Sequence, residues 1–87
     1  MVDIAGPLDR VRLRQLLDAR GFDPGAYSLD GGHPSERYVL DDRRSECVVY
    51  YSERGLETGL RTFPTEDPAC RRLADLLWND PTARQGA

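Results

Sequence analysis

The residue pattern predicts an α+β domain: an antiparallel meander of three strands, flanked by an N-terminal and a C-terminal helix, with Ala26–Leu29 as a candidate fourth strand. The stretch from Cys47 to Phe63, CVVYYSERGLETGLRTF, reads as one long β-hairpin, with β-branched and aromatic residues on either side of a glycine turn. Thr65-Glu66-Asp67-Pro68, directly after it, is a helix start. Near the N-terminus, Leu13, Leu16 and Leu17 form an apolar stripe at helical spacing. Two one-sided helices suffice to cover the apolar face of a meander.

The first helix is expected from about Pro7 to Arg20, with Gly6 as N-cap and Pro7 at N1, where the missing N–H costs nothing. Asp9 adds negative charge to its first turn. Gly21 suits the left-handed residue after the helix, with Phe22 folding back on Leu17. Asp23-Pro24-Gly25 is a turn, and Asp30-Gly31-Gly32-His33-Pro34 a second one. In Glu36–Asp41, Tyr38 and Leu40 alternate with Arg37, Val39 and Asp41. Asp42-Arg43-Arg44-Ser45 turns the chain into the clearest strand, Glu46–Ser52. Gly55 serves the next turn, and Leu56–Phe63 returns, with Gly59 a candidate bulge. Thr65 is the expected cap of the last helix, in which Ala69, Cys70, Leu73, Leu76 and Leu77 repeat at helical spacing. Asn79-Asp80-Pro81 stops it, and Thr82–Ala87 reads as a frayed tail.

The 87 residues make a single domain, residues 1–87, with an ordered core over about 7–81 and a short tail at each end. No apolar run approaches a membrane span, and MVDIAGPLDR lacks the basic start and apolar centre of a secretory signal, so a cytoplasmic protein away from the membrane is expected. All 12 basic residues are arginine, a bias that codon usage in a GC-rich genome explains. The net charge of −3 disfavours nucleic acid and permits a basic protein partner. Cys47 and Cys70 read as small buried apolar side chains, with a disulfide open to them if their strand and helix pack together.

Catalysis finds little support. The one histidine, His33, sits in a Gly-Gly-His-Pro turn, with no sign of a base held beside Ser or Cys. No phosphate-binding glycine motif and no metal-ligand cluster is present, so no cofactor or metal is expected. Asp41-Asp42 and Glu66-Asp67 read as a solvated turn and a charged helix start. The α-β-β-β-α order invites comparison with double-stranded-RNA-binding domains, which grip phosphates near the start of their last helix. Here that turn is Thr65-Glu66-Asp67-Pro68, which repels phosphate.

The tyrosines are more informative. Tyr50 and Tyr51 are adjacent in a strand and point to opposite faces. Val48 lies with Tyr50; Cys47 and Val49 lie with Tyr51. A strand apolar on both faces in so small a domain implies either cover on both sides or an exposed contact surface. Tyrosine and arginine are favoured interface anchors, and acidic residues interspersed through the meander complement a basic partner.

The words VVYYSERG, TFPTEDPAC and LADLLWNDP, with AYSLDGG and ERYVL, resemble a group of small bacterial proteins encoded near polymorphic toxins and thought to act as immunity proteins. The resemblance spans roughly Leu13 to Pro81 and rests mainly on fold-determining residues. It implies a non-catalytic domain, not an enzyme, that occludes a toxin, and it carries over no catalytic residue. Joined to the residue reading, it points to Tyr38, Tyr50, Tyr51, Glu53, Arg54 and Glu57 as partner contacts on a monomer or weak homodimer. The alternatives are a self-associating structural or regulatory module and, less favoured, an RNA-binding domain.

Overall fold

The elements along the chain are α1 (Arg10–Ala19), β1 (Tyr27–Ser28), β2 (Arg37–Arg43), β3 (Glu46–Glu53), β4 (Leu56–Phe63) and α2 (Glu66–Trp78). Short 3-10 turns occur at Pro24–Ala26 and Pro81–Ala83. The structure, a computed structural model, describes residues 6–32 and 35–84. His33 and the proline after it lie outside the described residues, as do 85–87.

Helix α1 starts later than expected because a better cap is available. Asp9, not Gly6, is the N-cap, and its Oδ1 accepts the N–H of Arg12 at 2.8 Å. Pro7 and Leu8 precede the helix, and Leu8 is buried. The C-terminus follows expectation. Gly21 N–H donates to the Asp18 carbonyl at 3.2 Å and Phe22 N–H to that of Leu17 at 3.0 Å, the two bonds of a Schellman ending. This turns the Phe22 ring into the core, 4.6 Å from that of Trp78.

The sheet order is β1-β2-β3-β4. Strands β2, β3 and β4 form the expected antiparallel meander. The candidate fourth strand is real but shorter, and it runs parallel to β2, pairing Tyr27 with Tyr38 and Ser28 with Val39. The sheet is therefore mixed, which corrects the expectation of a purely antiparallel one. The parallel register sets the start of β2 beside the start of β1, so the two strands are not joined by a tight hairpin. Strand β2 also runs on through Asp42 and Arg43, which sequence places in a turn. Partners elsewhere hold both residues: Asp42 meets Arg10 at 2.9 Å, and Arg43 forks onto Glu57.

In β4 the pairing slips. Val49 opposes Arg61 but Tyr51 opposes Thr58, so Gly59 and Leu60 together face Tyr50. Gly59 takes φ +66°, which a residue without Cβ adopts at little cost.

Both faces of β3 are covered, which resolves its double apolarity. Leu40, Cys47 and Val49 face the helices and pack in the main core with Leu13, Leu17, Leu73 and Leu77. Both cysteines are buried and free in that core. On the opposite face Val39, Val48 and Tyr50 form a second, smaller core. The Arg43 guanidinium lies over the Tyr50 ring, 5.1 Å from its centroid, and the Tyr50 hydroxyl donates to the Gly32 carbonyl at 2.6 Å. Gly31, at φ +72°, lies close against β2: a Cβ there would lie 2.3 Å from Asp41 Oδ1 and force that carboxylate to move. Ser52, fully buried on this second face, has an Oγ with no hydrogen-bond partner.

The helix starts are clasped together. Glu66 accepts the Arg10 backbone N–H at 2.9 Å and its Nη1 at 2.7 Å; Asp67 accepts the Leu8 N–H at 2.6 Å. Thr65 holds the N-cap position of α2 but makes no capping bond with its side chain. The fraying expected from Thr82 onward does not hold over residues 82–84. Ala83 is buried, its carbonyl accepts the Asp23 N–H at 2.8 Å, and Arg84 bridges to Phe22 while its guanidinium lies over that ring. Apolar cover for Ala83 and the backbone bonds of the docked turn outweigh fraying there.

Candidate functional site

The six residues singled out from sequence do not form one patch. Because side chains alternate along β3, Tyr51 stands on the helix side and Tyr50 on the other. Tyr50 is 1% exposed and held by Gly32 and Arg43, so it presents no surface to a partner. This corrects its selection as a contact. Glu57 shares its face and is half-buried in the fork from Arg43, with Nη1 at 3.1 Å from Oε1. It is structural too. The accessible tyrosine is Tyr51, on the very face the helices cover, because they stop short of that end of the sheet.

Tyr38 and Tyr51, opposite each other in β2 and β3, meet edge to face with centroids 4.9 Å apart. They wall a cleft of about 200 Å³, which Asp23, Glu36, Asp80 and Thr82 also line. The Tyr38 hydroxyl donates to Asp80 Oδ2 at 2.9 Å. Asp80 Oδ1 accepts both the backbone N–H and the hydroxyl of Thr82, at 2.9 and 2.6 Å. Burial and the bond to Asp80 push the Tyr38 hydroxyl up to about 12. Thr82 and Tyr38 hold the Asp80 carboxyl below its ordinary range. Burial raises the Tyr51 hydroxyl, with the negative charges of Glu36, Glu53 and Asp80 adding to it. Among the described residues, no cationic side chain lines this cleft, in a chain with 12 arginines. Its lining is acidic and aromatic, a combination that favours a cation.

Glu53 and Arg54 lie beside it at the β3–β4 turn, both exposed, and neither has an ion-pair partner among the described residues. Leu56, two residues on, is 68% exposed. Sequence reading singled out Tyr38, Tyr51, Glu53 and Arg54 and counted Glu36 among the acidic residues of the meander, but missed Asp23 and Asp80. Asp23 and Asp80 read as turn and helix-stop residues, and no local signal shows that the two turns meet.

The acidic helix start that argued against RNA is not bare. Glu66 is paired with Arg10 at 2.7 Å and Asp67 with Arg71 at 3.1 Å. These carboxylates clasp the helices rather than shape a surface. No group of His, Cys, Asp and Glu suited to a metal ion occurs among the described residues, and no helix there is long and apolar enough to cross a membrane. Comparison with protein families, with curated proteins and with solved structures gave no match.

Proposed function

We propose that this chain is a non-catalytic protein-binding domain of the immunity or antitoxin kind, which occludes a basic surface of a partner toxin in the cytoplasm. The observation that carries the reading is the acidic, two-tyrosine cleft beside the unpaired Glu53-Arg54 turn. An arginine or lysine of the partner enters the cleft, stacks on Tyr51 and meets Asp80 and Glu36, while the turn and Leu56 make the surrounding contacts. Binding masks the toxin sterically, and opposite charge speeds the encounter.

The test is co-purification with the product of the neighbouring gene, together with rescue of cells that express that product. Tyr51→Ala and Glu53→Arg are expected to weaken binding about tenfold or more each. Failure of the unmodified chain both to bind and to rescue would sink the proposal.

A second reading is self-association through β4, the outer strand of the sheet, most of whose residues are exposed. Light scattering separates the two: a dimer at micromolar concentration favours self-association, and a monomer favours a different partner. RNA binding is expected to fail a gel-shift assay at low salt.

A further inference from the structure

We propose that a second cleft, between α1 and β1, binds a small zwitterion of the amino-acid type, with Arg37 taking its carboxylate and Asp18 its ammonium group. This goes beyond the protein-binding reading and uses none of its residues. The cleft has a volume of about 360 Å³, within the range of small-molecule sites. Arg14 and Asp18 line it from α1, Tyr27 and Asp30 from β1 and the loop after it, and Arg37 from the start of β2.

Arg14 and Asp30 face each other at 3.5 Å, a loose exposed pair. Arg37 and Asp18 behave differently. Both line the cleft, yet no ion pair joins them, and among the described residues neither side chain has an ion-pair or hydrogen-bond partner. Arg37 is half-buried and Asp18 exposed, so each charge is open to a ligand entering the cleft. Tyr27 is 6% exposed, and its hydroxyl also lacks a hydrogen-bond partner. Burial raises that hydroxyl's pKa, with Asp18 adding to it and Arg14 opposing, as expected of a group facing the same cleft.

The charge balance selects the ligand. Two arginines and two aspartates line the cleft, so a polyanion such as nucleic-acid phosphate gains nothing overall. An unpaired cation and an unpaired anion that do not reach each other suit a molecule carrying both charges. A guanidinium matches a carboxylate bidentately, and the Tyr27 hydroxyl supplies a further donor.

The test is an amide chemical-shift titration of the whole chain with glycine, L-alanine and L-leucine, and with acetate and methylammonium as half-ligands. Saturable shifts at Ser28, Asp30 and Arg37 are expected for at least one amino acid, about tenfold tighter than for either half-ligand. Arg37→Gln and Asp18→Asn should each weaken that binding about tenfold while leaving the denaturation midpoint and the Tyr51 amide in place. Tyr27→Phe gives a milder check that spares both charges. Absence of saturable shifts with all three amino acids would overturn the proposal, as would acetate binding as tightly as they do.

Discussion

At the Arg43–Glu46 end of the sheet, on the helix face, Arg10 reaches Asp42, Glu66 and the Leu29 carbonyl; on the other face Arg43 holds Asp41 and stretches to Glu57, which stands beside Ser52 toward the far end. At the Arg37–Glu53 end, Glu36, Arg37, Glu53 and Arg54 have no ion-pair partner among the described residues. The same residue types thus do opposite things. Where the helix starts converge on strand ends, carboxylates cap backbone N–H groups and arginines neutralise them, so charge is consumed in holding the fold. Where the helices stop short, Tyr38 and Asp80 are bonded to each other, but Glu36, Arg37, Glu53 and Arg54 stay unpaired among the described residues. Charge density alone does not distinguish a clasp from a contact surface; the proximity of the helix starts does.

The largest effect expected from breaking this contrast is at Arg10. Arg10→Ala leaves Asp42 and Glu66 without their cation and should cost about 2–3 kcal/mol in urea denaturation. A loss below about 0.5 kcal/mol would show that the clasp is ornamental. Tyr38→Phe, at the open end, should cost about 1.5 kcal/mol by removing a hydrogen bond to a charged acceptor, while the Tyr51 amide and the β-sheet signature stay in place.

Both ends contribute to the acid limb of the pH response, and Tyr38 at the open end contributes to the alkaline one. Asp42, bonded to Arg10, and Asp80, bonded to Thr82 and Tyr38, both have folded-state pKa values below the ordinary 3.8. The unfolded chain then binds more protons near that pH, so stability is present above about 4 and falls as both carboxyls protonate below it. Tyr38 acts at the other limb. Its hydroxyl is raised from 10.0 to about 12, so its contribution is complete below 10 and is lost as pH rises toward 12. Denaturation midpoints across pH should show both limbs, and Tyr38→Phe should make the alkaline one shallower without removing it, because burial also raises Cys70, Cys47, Tyr27, Tyr50 and Tyr51.

Ser52→Ala removes a buried hydroxyl without a partner and should stabilise the chain by about 0.5–1 kcal/mol, read from the denaturant midpoint. A destabilisation would mean that the Oγ is satisfied in solution. Glu53→Ala should be smallest, within about 0.5 kcal/mol, because its side chain is exposed and unpaired. A larger cost there would mean that the open end is also structural.

Much of the fold was legible because its signals are local. The hairpin from Cys47 to Phe63, the Schellman ending at Gly21-Phe22 and the bulge at Gly59 each depend on residues within a few positions. The site was half legible. Adjacent tyrosines announce opposite faces, but not that Tyr50, away from the helices, is the buried one; Arg43 and Gly32 arrive from other strands and loops to cover it. Glu57 looked like a free acid because its partner, Arg43, lies 14 residues away in sequence.

Element types, their order and the two-sided apolarity of β3 follow from side-chain period and turn chemistry, which act over a few residues. The parallel placement of β1, the meeting of Asp23 and Asp80 around Tyr38, and the division of acids between clasp and cleft do not. They arise when distant segments pack, because a carboxylate takes whichever donor the fold brings within reach.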